Sequence, residues 1–443
     1  NHTEGFTELS ERVQEYSPEK VEGITGVDKE TIRKFAAIYA DSKPSFIYAG
    51  SGMQHHTNGG MMIRTIACLP GLVGAWKHPG GGMFYPTSEA FPIQWDILEG
   101  NDLCPDSPRS INMNRLGHTL LHEDPGIYGL FVYNSNPAAV LFNQRKVIAG
   151  LEREDLFTVV HEQLLTDTTR YADIVLPATT EFEHTDLHYS YFHLSLQLNE
   201  PVIEPLGESR PNIDTFNTLA KSMGFQDSCF DDTAIDTINS ALGVDSSYLR
   251  GITLERLRDE GAIRLNMPGE FHIPYRDLKF YTPSGKIEFY SDKMKGDGYD
   301  PLPAHIPIGE GPLTSPDLYE KYPVYLLTPS AKSFLNSNFA NIREQGSEEE
   351  PILELNSLDA GRRGIKTGDK VRVFNERGEC ALMASVGDYL KEGVAINKGI
   401  WWNSLSPGGC NSNQTTPDRL ADMGGGSTYN TNLVQIEKVN SPV

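Results

Sequence analysis

The sequence predicts an α/β fold with doubly wound, mainly parallel sheet regions, followed by a C-terminal β-barrel domain. Up to about residue 185, short apolar runs that end in glycine or polar turns alternate with helical spacing. Beyond a proline-rich stretch at 301–316, the chain changes to short strands joined by tight turns. With 443 residues, 38% of them hydrophobic, the chain is long enough for about three packed domains.

The first elements follow in order. Residues 18–39 have helical spacing, interrupted by a turn and helix cap at 25–28. The apolar run 45–49 predicts a strand, the triplet Gly50-Ser51-Gly52 a turn, and the stretch from 57 or 58 to 69 a helix. This strand–turn–helix order indicates one layer of an α/β domain.

Three further strands are predicted at 129–133, 156–160 and 172–176. Polar turns follow the first two strands, at 134–137 and 161–162. Ligands of parallel sheets lie beyond the carboxyl ends of the strands, so both turns face the expected binding edge.

The C-terminal part reads as short strands at 322–327, 370–374, 381–386 and 394–396, with a hairpin turn at 375–378. We therefore divide the chain into five ranges: the end of one α/β domain (1–86), part of a second (87–185), a mixed connecting region (186–300), a linker (301–321) and the barrel (322–443).

Composition excludes several classes of protein. The formal charge of -22 disfavours nucleic acid and membrane surfaces as partners, and no apolar run approaches the ~20 residues of a membrane helix. The five cysteines form no CxxC motif, which disfavours a zinc ribbon or a thiolate-held iron–sulfur cluster in this chain. The start has neither Met nor a signal region, so we expect a piece of a longer protein and favour the cytoplasm.

Two motifs remain open when read from the residues alone. The Gly50-Ser51-Gly52 turn is either a phosphate cradle or an ordinary tight turn. His184 and His188 have the i, i+4 spacing of a zinc pair, but their context favours a loop, and no metal site is predicted. No nucleophile motif is present.

Longer phrases carry more information than these motifs. They are, in chain order, GITGV (23–27), GSGMQHHTNGG (50–60), LVGAWKHPGGG (72–82), YNSNPAAV (133–140), VVHEQLLTDTTRYADIVLPATTEFEH (159–184), EPLGESRPN (204–212), LLTPSAKSFLNSNFAN (326–341), GDKVRVFNERGE, GIWWNSL and TTPDRLADMGGG. In this order the chain resembles the molybdopterin oxidoreductases, the family of formate dehydrogenases, nitrate reductases and dimethyl sulfoxide reductases. The barrel would then be of double-psi type.

The resemblance implies a bis(molybdopterin guanine dinucleotide) cofactor that holds molybdenum or tungsten. The residues that match the family's cofactor-binding positions are Gly50, Ser51, Gly52, His55, Gly82, Asn134, Ser135, Asn136, Glu162, Thr166, Asn212, Ser330, Phe334, Asn336, Asn413 and Tyr429. Glu162 and Thr166 match the positions that grip a guanosine. A carboxylate suits guanine, which offers an N1–H and an amino group to one acceptor pair.

The family also has features that this chain lacks. Its [4Fe-4S] motif and its metal ligand precede the part matched here, so we expect the chain to be a C-terminal fragment of a catalytic subunit that is inactive by itself. Formate dehydrogenases place an arginine shortly after the glycine-rich block, whereas the next arginine here is Arg109. Formate is therefore not favoured as the substrate.

The leading hypothesis is an enzyme that performs two-electron oxidation or reduction of a small molecule and exchanges electrons with an iron–sulfur subunit. Met83, Phe84, Tyr85 and Thr87 are the candidates for the wall of the substrate funnel, with plain loop packing as the alternative. The alternative functions are a non-catalytic scaffold subunit and a guanosine-nucleotide-binding module of the same fold.

Overall fold

The computed structural model describes residues 2–85, 91, 93, 98–100, 108–269, 273–342 and 351–439. The chain forms two compact units, each made of separate stretches of sequence. The first unit comprises Asn1–Pro86, Met267–Ile308 and Ala421–Gly424. The second unit comprises Thr87–Asn266, Gly309–Leu420 and Gly425–Val443.

The described strands are β1 (Thr3–Glu4), β2 (Phe46–Tyr48), β3 (Gly82–Phe84), β4 (Gly129–Tyr133), β5 (Phe157–Glu162), β6 (Ile174–Pro177), β7 (Asp186–His188), β8 (Ser195–Asn199), β9 (Ala262–Arg264), β10 (Ile287–Glu288), β11 (Val324–Leu327), β12 (Ile352–Asn356), β13 (Lys370–Phe374), β14 (Glu379–Gly387), β15 (Val394–Asn397) and β16 (Leu433–Lys438).

The described α-helices are α1 (Phe6–Arg12), α2 (Pro18–Thr25), α3 (Lys29–Asp41), α4 (Gly59–Val73), α5 (Leu116–His122), α6 (Pro137–Val140), α7 (Gln144–Leu151), α8 (Asn212–Ser222), α9 (Ala234–Leu242), α10 (Leu254–Glu260), α11 (Asp292–Gly296), α12 (Pro316–Lys321) and α13 (Ser357–Arg362). None of them combines the length and the apolar character that crossing a bilayer requires.

The first unit contains two small parallel sheets, β1–β10 and β2–β3. Its core packs Leu9 and Cys68 against Phe289 and Leu302. The predicted cap at the start of α3 is present, because the Asp28 side chain accepts a hydrogen bond from the Thr31 N–H at 2.9 Å. The predicted strand–turn–helix order after residue 45 is also present as β2, a 3-10 turn and α4.

The second unit begins with the parallel sheet β4–β5–β6. Its strands agree with the three predicted apolar runs to within two residues. Helices α5, α6 and α7 build a core beside this sheet, in which Leu120, Val147 and Leu156 are buried. A separate antiparallel sheet, β7–β8–β9, lies in the range predicted as mixed.

The second unit also contains a closed six-stranded barrel in the order β11-β15-β12-β14-β13-β16. Two of its strand pairs, β11–β15 and β12–β14, are parallel. Alternate strand residues such as Leu353, Leu355, Val371 and Val373 are fully buried and fill the barrel. The predicted fold class, an α/β chain with a C-terminal barrel, is confirmed, although the sequence pattern missed β12 and β16.

The five domain ranges stay a prediction. In the range 301–321, proposed as a linker, Leu302 is buried in the core of the first unit and Glu310 is buried in the second. Glu310 is held there by the guanidinium group of Arg377, whose Nη1 lies 2.8 Å from its Oε1.

Candidate functional site

The carboxyl edge of the β4–β5–β6 sheet brings three predicted residues to one place. Asn134, directly after β4, has a left-handed backbone with φ 50°, which asparagine tolerates better than most residues. Its Oδ1 accepts a hydrogen bond at 3.3 Å from the Asn212 amide at the start of α8. Glu162 is the last residue of the neighbouring strand β5. Residues 78 positions apart therefore meet at the edge where ligands of parallel sheets bind.

Glu162 keeps acceptor capacity for a ligand. Its Oε1 accepts one hydrogen bond, from the Gln163 backbone N–H at 2.8 Å. Burial raises the pKa of the carboxyl group, and that single backbone bond opposes the shift. Within the described ranges no lysine or arginine forms an ion pair with it. A half-buried carboxylate in this state suits a ligand with paired N–H donors.

The next predicted residue, Thr166, is 4% exposed. Its hydroxyl has no hydrogen-bond partner among the residues that the structure describes, and the same holds for Asn403 Oδ1. Asp167 follows Thr166 in the sequence, and its carboxylate accepts the Asn403 N–H at 2.5 Å and the Ser404 N–H at 3.1 Å. Buried polar groups usually have a partner, so these two atoms are candidates for hydrogen bonds to a polar ligand.

Three asparagines hold the turn after β4. They lie in the long connection between β15 and β16, called the barrel loop here. Their side-chain amides donate to successive carbonyl oxygens of α6: Asn403 to Ala138 at 3.0 Å, Asn411 to Ala139 at 2.9 Å and Asn413 to Val140 at 2.8 Å. A one-turn helix leaves its last carbonyls without intrahelical partners, and this ladder satisfies them. The polar turn and the barrel loop thus form one packed structure inside the second unit.

The side chain of Asn136 is also hydrogen-bonded within this structure. It is 1% exposed, and its Oδ1 accepts hydrogen bonds from the Thr168 N–H at 3.1 Å and the Thr168 hydroxyl at 2.7 Å. Its amide donates to Ser337 Oγ at 3.0 Å. Of the predicted Asn-Ser-Asn turn, Asn134 and Ser135 are therefore the more accessible residues.

The barrel candidates fall into two groups. Ser330 and Asn336 are exposed on the loop after β11. Phe334 is buried with its ring 4.8 Å from that of Trp401, centroid to centroid. Tyr429 is half-buried and stacks on Phe142, and burial raises the pKa of its hydroxyl to about 12.

The candidates in the first unit are arranged differently. Gly50, Ser51 and Gly52 are exposed around a 3-10 turn, and the His55 N–H donates to the Gly52 carbonyl at 3.3 Å. Gly82 is buried with φ 102°, and an added Cβ would lie 2.7 Å from Trp76 Cε3. Gly82 is therefore required by backbone conformation and packing.

Of the funnel candidates, Met83 and Phe84 lie in β3, half-buried. The Phe84 ring stacks on Tyr48 at 5.7 Å, and the Tyr85 hydroxyl donates to Gln54 Oε1. Burial raises the pKa of Tyr85. Thr87 lies outside the described residues.

The start of α4, the helix that follows the Gly50-Ser51-Gly52 turn, is bonded to a side chain of the chain itself. Asp422 Oδ1 accepts the Gly60 N–H at 2.7 Å, and its Oδ2 accepts the Met61 N–H at 3.0 Å. All three residues belong to the first unit. The helix amides that a phosphate would use are therefore already bonded.

The histidine pair does not form the helical zinc arrangement. His188 ends strand β7, and His184 Nδ1 lies 2.9 Å from Thr179 Oγ1. No group of three or more His, Cys, Asp or Glu side chains is placed to hold a metal among the residues the structure describes.

Sequence reasoning missed the residues that arrange the site. Asp167, Asn403 and Asn411 link the turns to the barrel loop, and Asp422 caps α4. Asp167, Asn403 and Asp422 stand within phrases that carry the family resemblance, and this was the available signal. Their roles are visible only in contacts that span more than 200 residues of sequence.

Comparisons with known proteins identify the family. Residues 25–222 match the family described as Molybdopterin oxidoreductase, and residues 324–433 match the Molydopterin dinucleotide binding domain. Together the two matches cover more than half of the chain. The second match supports a molybdopterin dinucleotide as the cofactor.

Individual relatives agree as well. The chain is 44% identical to the probable oxidoreductase YoaE of Bacillus subtilis, over 99% of the chain and 63% of that protein. It is 29% identical to the dimethyl sulfoxide reductase DmsA of Escherichia coli, over 96% of the chain and 57% of that protein. The chain thus spans about six tenths of these relatives.

A solved structure shares the fold. The acetylene hydratase of Pelobacter acetylenicus superposes with a TM-score of 0.77 at 23% identity, over 99% of the chain and 67% of that protein. With the family matches, the ordered phrases and the common edge of turns and barrel loop, one conclusion follows. The chain belongs to the molybdopterin oxidoreductase family.

Proposed function

We propose that this chain binds the dinucleotide part of a bis(molybdopterin guanine dinucleotide) cofactor in an enzyme that oxidises or reduces a small molecule by two electrons. The observation that carries the proposal is the edge of the second unit, where Glu162 keeps acceptor capacity and the Thr166 hydroxyl is buried without a partner among the described residues. When bound, the cofactor supplies a molybdenum or tungsten centre for electron transfer.

Different residues bind different parts of the cofactor in this proposal. Glu162 accepts the N–H groups of a guanine, and the Thr166 hydroxyl bonds to the same nucleotide. Asp167 and the asparagine ladder keep these loops in register with the barrel loop, which reduces the ordering that binding requires. Gly50, Ser51, Gly52 and His55 of the first unit are proposed to contact the other dinucleotide.

The buried Thr166 hydroxyl favours this proposal over a scaffold role. It has no partner among the described residues, and in a scaffold subunit an apolar residue of the same shape would be more stable there. Together with the acceptor capacity of Glu162 on the same segment after β5, it supports a cofactor-binding enzyme.

The substrate is proposed only as a class. The named relatives include a dimethyl sulfoxide reductase and an acetylene hydratase, which act on different small molecules. Formate stays disfavoured, since the first arginine after the glycine-rich block, Arg109, donates to the Pro125 carbonyl at 3.0 Å. An iron–sulfur subunit as electron partner, a [4Fe-4S] cluster elsewhere in the protein and the inactivity of the isolated chain stay predictions.

The test is the substitution Glu162→Ala in the holoenzyme. Losing a hydrogen-bond pair to a charged group weakens binding by about tenfold or more, so metal and guanine nucleotide per protein should fall while the fold is kept. Metal analysis and release of the nucleotide by acid measure both quantities.

The matched control is Glu154→Ala, at an exposed glutamate of the same unit. Its metal and nucleotide content should equal that of the unchanged protein. Full content in the Glu162→Ala variant would remove Glu162 from the site.

A further inference from the structure

The loop at residues 50–58 is held from one side by a short strap, residues 421–424, which belongs to the first unit. The Asp422 backbone N–H donates to the Thr57 carbonyl at 3.0 Å. Its carboxylate accepts the Gly60 and Met61 N–H groups at 2.7 and 3.0 Å. One residue, 362 positions along the chain from Gly60, thus bonds to both the end of the loop and the start of α4.

The Asp422 carboxylate supplies the negative charge and the acceptor oxygens that a bound anion would supply at the start of a helix. The first amides of a helix have no intrahelical acceptors, and the helix dipole favours negative charge beside them. Asn58, the residue before α4, makes no side-chain cap to this helix. Its amide donates to the Ile306 carbonyl at 2.5 Å. Asp422 therefore replaces both a local cap and a phosphate.

The two glycines that open α4 are explained by the same packing. A Cβ on Gly59 would lie 2.3 Å from the Gln54 carbonyl oxygen, so the loop rests directly on the helix backbone. A Cβ on Gly60 would lie 2.8 Å from the Met423 sulfur, so the strap also packs against the helix without a gap. Because Gly59 and Gly60 have no side chains, the loop and the strap can pack directly against the backbone of α4.

We propose that Asp422 is a positioning residue for the loop at 50–58, acting as an internal anion at the start of α4. The inference rests on the proposed function in one respect, that this loop contacts the cofactor. It excludes the α4 amides as a binding point for the cofactor's phosphates, which leaves the exposed turn at Gly50–Gly52 to make that contact.

The test replaces Asp422 with alanine in the holoenzyme and adds inorganic phosphate. Removal of a helix cap should lower Tm by about 2–4 °C. Phosphate should bind the vacated amides and restore most of that loss, whereas the unchanged protein should show no such recovery. Metal and guanine nucleotide per protein should fall by about twofold or more because the loop loses its anchor.

Asp28→Ala is the matched control, because Asp28 caps α3 in the same unit without bonding to the loop. Its metal and nucleotide content should be unchanged. Asp422→Asn keeps one acceptor and removes the charge, so it should lie between the alanine variant and the unchanged protein. If the alanine variant does not fold, phosphate stabilisation and cofactor content are measured on the asparagine variant instead.

The inference is overturned if phosphate stabilises the Asp422 variants no more than the unchanged protein, or if their cofactor content stays full. These outcomes are separate from those of the Glu162 experiment. If phosphate does not stabilise the Asp422 variants but the Glu162→Ala variant loses its cofactor, the role of Asp422 is rejected and the proposed function is kept. If phosphate does stabilise the Asp422 variants but the Glu162→Ala variant keeps its cofactor, the role of Asp422 is kept and Glu162 is removed from the site.

Discussion

The glycine-rich loop before α4 and the polar turns after β4 and β5 both lead to a point where an anion or a polar ligand can be held. At the loop, Asp422 already occupies that point with two hydrogen bonds. At the turns, Glu162 and Thr166 keep atoms without protein partners in the described part of the chain. A glycine-rich turn before a helix therefore does not by itself indicate a free anion site, because a side chain from a distant part of the sequence can bond to the helix amides.

The largest expected effect comes from Gly59→Ala. The new Cβ would lie 2.3 Å from the Gln54 carbonyl oxygen, a backbone atom that cannot move aside alone. Overpacking of this kind costs about 1–3 kcal/mol or more. Urea unfolding should show that loss, and Gly23→Ala, with open space around the glycine, should not. Equal stability of the two variants would mean that Gly59 is not there for packing.

Asp167→Asn examines the other region. The amide of asparagine would face the Asn403 or Ser404 N–H, leaving one buried donor without an acceptor, at about 1–3 kcal/mol. Denaturant unfolding measures this loss, with the exposed Asp259→Asn as the control. An unchanged midpoint would show that the turns hold their arrangement without this link.

Glu162 and Glu183 offer a comparison in pH. Burial raises the pKa of Glu162, so its ionised form destabilises the protein above its unfolded pKa, and this effect disappears as the pH falls through the raised value. Glu162→Gln should therefore make the cofactor-free protein slightly more stable near neutral pH and equally stable in acid. The gain in unfolding free energy measures the cost of burying the ionised carboxylate, which hydrogen bonds from a ligand would offset.

Glu183 should behave in the opposite way. Backbone N–H groups of Thr180 and Leu206 lower the pKa of its carboxyl group, so the ionised form stabilises the protein above its unfolded pKa, and this is lost as the pH falls through the folded value. Glu183→Gln should be less stable at neutral pH only. Unfolding curves at two pH values check both variants, and shifts of the same sign would contradict the assignment.

The smallest effect on stability is expected for Gly50→Ala. Its φ of -86° suits alanine, and no atom of the described residues lies within 4 Å of the new Cβ, so stability should change by less than about 0.5 kcal/mol. If Gly50 lets the backbone approach the cofactor, the guanine nucleotide content should still fall. If the Gly50→Ala variant keeps both its nucleotide content and its stability, the turn serves only to reverse the chain direction.

Much of the scaffold was predictable, because periodicity and caps are local properties. The apolar runs of β4, β5 and β6, the Asp28 cap and the hairpin at 375–378 all appear where the sequence places them. The alternation of Leu353 and Leu355 in β12 was present but too short to read as a strand without its neighbours. β16 was missed in the same way.

The site was predictable only in part. Glu162 and Thr166 were predicted by resemblance, and the segment that carries them is bonded to the barrel loop through Asp167 and Asn403. Nothing local distinguished Asn134, which is accessible, from Asn136, which is bonded to Thr168 and Ser337. That distinction depends on which neighbours the fold supplies.

The alternation of strands and helices, the barrel and the family can be read from the amino-acid order, because hydrophobic periodicity and ordered phrases are local properties of the chain. Which polar atoms keep free bonding capacity depends on the folded path. Asp422 meets Gly60, and Asn411 meets Ala139, across 362 and 272 residues. Hydrogen bonds of that separation follow from the folded path of the chain, so no local pattern announces them.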